Sequence, residues 1–216
     1  MPAELHYFHL GGRAEGIRAL LGHANFQYQD ERMNFTDFGE VKDQTPLGSL
    51  PVWTEDGFQM CQSSAILRML GIRLGYYTED PAHAWAIDSL VDFAESFQGK
   101  IVGYIFPAVQ GGQVDVTKAD EWLANGFDKL CAVYEKRLAG HGKKYLAGDK
   151  LTIADFKCFQ HWITASECNT ATPLPREVLD KQNACIAKYS NVARWVETMK
   201  GELADYLKNK RVPTPI

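Results

Sequence analysis

Four short stretches of the chain carry residues able to do chemistry on a small polar ligand: Tyr7-Phe8, Arg13, Leu50-Pro51-Val52 and Gln62-Ser63-Ser64. Tyr7 offers a phenolic proton at the end of a strand-like segment, and Arg13 a fixed positive charge where a helix opens. Gln62 and Ser63 stand at a helix N-terminus, whose free N–H groups and partial positive charge suit a carboxylate. Each feature alone has a plainer explanation. A tyrosine ending a strand is usually half-buried packing, an arginine at a helix start serves a surface or a domain interface, a serine there is an N-cap, and a proline before a strand is ordinarily trans. The turn from His9 to Gly12 holds no cysteine, which disfavours thiol–disulfide chemistry at that point. Cys61, Cys131, Cys158, Cys168 and Cys185 form no CxxC pair and read as free thiols packed like small hydrophobes. No Cys/His cluster has zinc spacing, so no metal is expected.

These residues need a frame. Glu4 to Phe8 reads as a strand, Arg13 to Ala24 as a helix with Ile17, Leu20, Leu21 and Ala24 on one face, and Phe26 to Met33 as a second strand. A short irregular helix is expected within Thr36 to Lys42, capped by Thr36 or Asp37. Leu50 to Thr54 and Phe58 to Cys61, joined by Glu55-Asp56-Gly57, predict a hairpin, and Ser63 is expected to cap a helix carrying Ile66, Leu67, Leu70 and Leu74. The order β-α-β-α-β-β-α is that of a thioredoxin-like domain. Tyr76 to Ala82, with Asp80-Pro81, breaks the pattern, and everything beyond reads as helix. Ile87, Leu90, Val91, Ala94, Phe97, Ile101 and Ile105 form one apolar stripe, and Leu123, Phe127, Leu130, Tyr134 and Leu138 another. Thr152-Ile-Ala-Asp155 predicts a capping box in which the hydroxyl takes the Asp155 N–H while the carboxylate reaches back. Phe156, Phe159 and Ile163 continue that helix, and Val192, Trp195 and Val196 mark one more. The expected architecture is α/β plus all-α: a thioredoxin-like domain over 1–78 and an all-helical domain over 83–216.

At 216 residues, with 45% hydrophobic and 23% charged residues, the composition is that of an ordinary globular protein. A formal charge of −4 and the absence of a basic arm argue against nucleic acid as a partner. No run approaches the roughly 20 apolar residues that cross a bilayer, and the first ten residues carry no basic, apolar leader, so a cytoplasmic protein is expected.

The stretches LHYFHLGGRAEGIRALL, TPLGSLPVW and QSSAILRML, with LAGDKLTIADF downstream, resemble the cytosolic glutathione transferases, especially the sigma class and its alpha, mu and pi relatives. The resemblance covers essentially the whole chain. It implies an enzyme that uses glutathione as co-substrate, with no metal, and attacks hydrophobic electrophiles in a detoxifying role. The implied catalytic residue is Tyr7. The implied glutathione-binding set adds Phe8, Arg13, Phe38, Lys42, Ser49, Leu50, Pro51, Gln62 and Ser63, with Phe38 and Lys42 near the glycyl carboxylate and Gln62 and Ser63 at the γ-glutamyl end. If Pro51 is cis, as in the family, Leu50 can pair with the cysteinyl unit as a short added strand. The second-substrate pocket is expected between the domains, lined by Phe8, Leu10, Ile105 and Phe106. A homodimer is implied as well. The chain departs from the family at Gly11, where many members carry arginine, at Ser49, where lysine, glutamine or asparagine is frequent, and at Ser96, beside Glu95, where an acidic residue commonly serves the partner's glutathione.

The implied chemistry can be weighed. A free thiol titrates near 8.5, so ionising it at neutral pH needs a drop of about two units, worth about 2.7 kcal/mol. A hydrogen bond to a charged group contributes roughly 1.5 to 3 kcal/mol, so a well-aimed Tyr7 hydroxyl supplies much of it. Two other readings stand beside conjugation: a sigma-like isomerase or peroxidase acting on prostanoids or lipid hydroperoxides, and a transferase-fold binding or structural protein with weak turnover.

Overall fold

A computed structural model describes residues 2–109, 113–164 and 175–212, apart from the side chains at 102, 104–106, 108, 109 and 164. Four strands form a mixed sheet in the order β2-β1-β3-β4: β1 (Glu4–Phe8), β2 (Gln29–Met33), β3 (Val52–Glu55) and β4 (Phe58–Cys61). β1 and β2 are parallel, joined by a 3₁₀ turn (Gly12–Ala14) and α1 (Glu15–His23), whereas β3 runs antiparallel to both β1 and β4. A short α2 (Phe38–Val41) and a 3₁₀ turn (Lys42–Gln44) fill the crossover, and α3 (Ser63–Leu74) closes the sheet-bearing part.

Alternation explains which way β1 faces. Leu5 and Tyr7 point into the core, whereas Glu4, His6 and Phe8 stay half exposed. α1 buries Ile17, Leu20 and Leu21, and α3 buries Ile66, Leu67 and Leu70, so both helices turn their apolar stripes inward.

Several local expectations change. β3 spans Val52–Glu55 and not Leu50 to Thr54, because Glu55 pairs with Phe58 and leaves Asp56-Gly57 as the turn. β2 starts at Gln29 and not at Phe26, because the Phe26 N–H closes on the Leu21 carbonyl at the end of α1 and the Phe26 and Tyr28 rings lie against Trp53. Ser63 is the first residue of α3 and not its cap. The cap position belongs to Gln62, whose φ of 73° is left-handed and whose side chain makes no capping bond. Asp37 precedes α2 without a capping bond of its own.

The rest is helical: α4 (Pro81–Glu95), α5 (Gln98–Val109), α6 (Val116–Trp122), α7 (Asp128–His141), α8 (Ile153–Thr164), α9 (Arg176–Ala187) and α10 (Ser190–Glu202). A π-helical stretch, Leu123–Phe127, links α6 to α7, and a second one, Tyr206–Lys210, follows α10. Asp80 accepts the His83 N–H and Pro81 fills the first turn, which explains why α4 starts there. The predicted stripes are core throughout their described positions, from Ile87 to Ile101 and from Leu123 to Leu138. The Ile105 side chain lies outside the described set.

At the start of α8 the box is wired differently from the expected pattern. Asp155 accepts the Thr152 N–H at 3.0 Å, as expected, but the Thr152 hydroxyl donates to that carboxylate at 3.2 Å and the Asp155 N–H goes to the Thr152 carbonyl. The other carboxylate oxygen takes the Leu146 N–H and the Trp195 indole, both at 3.0 Å. α8 packs against α1 and α4, which joins the helical part to the sheet-bearing part. The four described cysteines are free thiols.

Candidate active site

Sheet register gathers the candidate residues. His6, Val52 and Cys61 lie side by side on β1, β3 and β4. One step further along the strands, Tyr7, Pro51 and Gln62 therefore end the same row. β2 also ends at this edge, with Met33 beside Phe8, so the following segment through Phe35, Phe38 and Lys42 starts from there.

Tyr7 is 7% exposed, and its hydroxyl accepts the Arg13 N–H at 3.1 Å. With that lone pair engaged, the phenolic proton is free to donate outward. Burial pushes the phenol above its ordinary value, against the opposing pull of the Arg13 N–H and the Arg13 and Arg18 charges. Tyr7 is therefore a neutral donor at physiological pH.

The turn that presents Arg13 is fixed from two sides. Arg18, fully buried, donates to the Leu10 carbonyl at 2.6 Å and pairs with Asp30 at 3.0 Å, while its guanidinium sits 5.8 Å from the Tyr7 ring centre. Gly12 has a φ of +44°, and a Cβ there would lie 2.8 Å from the Tyr7 hydroxyl and collide with Leu10. Only a residue without a side chain fits under the phenol.

Phe8 stacks on Phe35 with ring centres 4.1 Å apart and meets the Phe38 edge at 5.4 Å, which makes an aromatic wall beside Tyr7. Lys42 is exposed, its stem runs beside Gly48, and its ammonium forms no ion pair among the described residues. The Leu50-Pro51 peptide is cis, and Leu50 precedes the first paired residue of β3. Ser49 and Leu50 are half-buried, Gln62 is exposed and Ser63 is buried at the N-terminus of α3. Leu10 is half-buried beside Gly12. The side chains of Ile105 and Phe106 lie outside the described set.

Residues 3–71 match the glutathione S-transferase N-terminal domain, and residues 99–210 match the glutathione S-transferase C-terminal domain. The chain belongs to the glutathione S-transferase family. It is an enzyme of that family, whose members take glutathione as co-substrate. A glutathione S-transferase of Dirofilaria immitis is 31% identical over 162 residues, covering 74% of this chain and 75% of that one. The solved structure of NaGST-2 has a TM-score of 0.83 at 25% identity, over 100% of this chain and 99% of its own. The prostaglandin synthase D of Nilaparvata lugens shares the fold, with a TM-score of 0.75 at 23% identity over 99% of this chain and all 100% of that one.

In this transferase the site also draws on residues outside the expected glutathione-binding set. Phe35 completes the aromatic wall, yet one aromatic in an irregular segment carries no periodic signal. Gly12 was visible as half of a Gly-Gly pair at a strand-to-helix turn. Glu95 turns inward: one oxygen accepts Arg13 Nε at 2.8 Å and the other accepts Lys157 Nζ at 2.6 Å. Ser96 is exposed, and its hydroxyl donates to the Phe93 carbonyl of its own helix. Among the described residues no group of His, Cys, Asp or Glu is placed to hold a metal, and no helix is long and apolar enough to cross a membrane.

Proposed function

We propose that this transferase conjugates glutathione to electrophilic small molecules, with the Tyr7 hydroxyl donating a hydrogen bond to the glutathione thiolate. The observation that carries the reading is the orientation of the phenol: its oxygen is occupied by the Arg13 N–H, its proton is not, and burial keeps that proton on. Arg13 adds positive potential to the same spot. Leu50 offers its backbone to the cysteinyl unit, Ser49 and Pro51 flank it, and Gln62 and Ser63 bring the α3 N-terminus to the γ-glutamyl carboxylate. Lys42, with Phe38 beside it, takes the glycyl carboxylate. Phe8 and Leu10 face the second substrate; the other two residues assigned to that pocket, Ile105 and Phe106, have side chains outside the described set.

In chemical terms the thiolate attacks a soft electrophilic carbon, and the departing group or the added proton completes a substitution or an addition. Tyr7 supplies the stabilising proton without giving it up. The working division is residues 1–78 for glutathione and residues 83–216 for the second substrate, in a cytoplasmic homodimer. Leu47, Phe58 and Trp85 are 61%, 67% and 67% exposed, and a groove of ≈ 580 Å³ between α4 and α7 has Trp85, Phe93 and Val133 on its wall. Such apolar surface favours assembly. Sedimentation as a monomer at micromolar concentration removes the dimer.

The test is Tyr7→Phe, which deletes one oxygen. Glutathione binding should survive, the bound thiol pKa should rise by roughly one to two units, and turnover should fall at least about tenfold. Equal turnover in both proteins takes the role away from Tyr7. A second reading, glutathione-dependent isomerisation of a prostanoid or reduction of a lipid hydroperoxide, is favoured by the shared fold with a prostaglandin synthase. Assays with those two substrates beside an aryl halide separate it from conjugation. If none is turned over although glutathione binds, the fold serves as a binding protein.

A further inference from the structure

Lys157 is a charged side chain where the sequence offers no reason for one. It lies on α8, next to the apolar residues Phe156 and Phe159, and is 1% exposed, with its ammonium 2.6 Å from Glu95. Glu95 does not need it. Its side chain is 28% exposed and already holds Arg13 at 2.8 Å, so water and one guanidinium satisfy it. Burying an ammonium costs several kcal/mol, and an apolar side chain of similar volume in such a place is often neutral or stabilising. Stability alone does not explain Lys157.

Charge does. Arg13 and Glu95 by themselves cancel, and a cancelled pair contributes little field to a thiolate beside Tyr7. With Lys157 on the second carboxylate oxygen, the trio carries one net positive charge, and its exposed member is Arg13, whose backbone N–H touches the Tyr7 hydroxyl. Two neighbouring titratable groups on α8 add no charge, and the buried Glu15 of α1, which packs against α8, is matched by Arg211. Cys158 stays a thiol, pushed up to about 12, and His161 stays neutral, pushed down to about 3. Arg18, the further cation acting on Tyr7, is matched by Asp30. Burial lowers the Lys157 ammonium below its ordinary value, opposed by the Glu95 carboxylate, so the charge of Lys157 depends on that 2.6 Å contact. Because Lys157 is shielded from water, dissolved salt screens it less than it would a surface lysine.

We propose that Lys157 is a positioning residue for the glutathione thiolate: by occupying one oxygen of Glu95, it leaves the charge of Arg13 uncompensated at the cleft beside Tyr7. The inference rests on the reading of that cleft as the thiolate site.

A charge-parity series tests it. The pKa of the bound thiol is read from the ultraviolet absorbance of the thiolate as pH is varied, with glutathione affinity and melting temperature measured on each protein. A unit charge roughly 10 Å away, at an effective dielectric of about 20 to 40, moves a pKa by about 0.6 to 1.2 units. Lys157→Met, which makes the trio neutral, should raise the thiol pKa by that amount. Glu95→Gln should lower it, and the double variant K157M/E95Q, which restores a single positive charge, should return to within about 0.3 units of the wild type. A merely structural lysine predicts the reverse for the double variant, which loses two partners of Arg13's network and should be at least as displaced as K157M. An unchanged pKa in K157M, or a double variant no closer to wild type, overturns the proposal. Should K157M fail to fold, E95Q against K157M/E95Q carries the same test, since the second lacks only the lysine charge: equal pKa values in that pair sink the idea. Tyr7→Phe is measured alongside. A thiol pKa that ignores Tyr7 removes the underlying reading, whereas one that follows Tyr7 and ignores Lys157 removes only this inference.

Discussion

Gly12→Ala separates backbone strain from the seating of the Tyr7 hydroxyl. Gly12 has a φ of +44°, and a left-handed alanine costs about 1 to 2 kcal/mol before any contact is considered. The added Cβ would also lie 2.8 Å from the Tyr7 oxygen and 3.2 Å from Cε1, with Leu10 closer still. Ordinary contact begins near 3.4 Å, so the hydroxyl must retreat by about half an ångström, enough to loosen its 3.1 Å bond from Arg13 and spoil its aim. On the proposed role of Tyr7, losing part of a hydrogen bond to the thiolate worth roughly 1.5 to 3 kcal/mol should raise the bound thiol pKa by about one unit and lower turnover about tenfold. The stability loss, about 1 to 3 kcal/mol, lowers the melting temperature by about 3 to 10 °C in a chain of this size. Gly57→Ala is the control: its φ is +79° and nothing lies within 4 Å of the new Cβ, so it carries the backbone cost alone. Thiol titration of both variants decides the matter. A wild-type thiol pKa in Gly12→Ala refutes the claim that this glycine exists to seat the phenol, whatever the melting temperatures do.

Two further predictions concern the helical part. Asp155→Ala strips four donors of a fully buried acceptor, and denaturant unfolding should show a loss of about 3 to 5 kcal/mol; a loss below about 1 kcal/mol contradicts the wiring at the start of α8. His161 is buried and its pKa is depressed from 6.5 to about 3, so the unfolded chain binds a proton more readily than the folded one: its stabilising contribution is complete above pH 6.5 and disappears as pH falls toward 3. Between pH 6 and 4 unfolding free energy should drop by up to about 1.4 kcal/mol per unit from this group, and His161→Gln should flatten that slope; an equal slope in both proteins removes His161 as its source.

The parts of this protein legible in the sequence are those written locally. Alternation in Leu5 and Tyr7 and the three-four spacing of Ile87 to Ile101 each encode an element and its inward face and appear as expected; the hairpin forms too, but with Glu55 paired in β3 and Asp56-Gly57 as its turn. Boundaries failed where a neighbour competed. The Phe26 N–H had a helix end to close, and the α3 cap position went to a left-handed Gln62 because the hairpin must turn sharply into the helix. The site was legible only as far as its motifs reached. Phe35 earns its place by stacking on Phe8, a contact set by the sheet edge. The inward turn of Glu95 depends on α4 and α8 meeting above α1, and no period or spacing in the chain announces a carboxylate shared by Arg13 and Lys157.

That meeting makes α1 and the turn before it a joint between distant segments of the chain. Three charged residues within six positions each tie a different segment to it. Arg13 reaches Glu95 at the end of α4, Glu15 holds Arg211 beyond the last helical stretch at 2.7 Å, and Arg18 grips Asp30 on β2 and the Leu10 carbonyl. Glu15 and Arg18 are almost wholly buried, in a helix whose remaining inward positions are apolar, so each unsatisfied charge would cost several kcal/mol if its partner moved away. The Arg13 backbone that meets the Tyr7 hydroxyl belongs to the turn these pairs immobilise. By docking α8 against α1, the helical part holds Glu95 and Lys157 against the turn that carries Arg13, so a sheet-bearing fragment on its own would keep Tyr7 while losing the contacts that fix the Arg13 N–H at its hydroxyl.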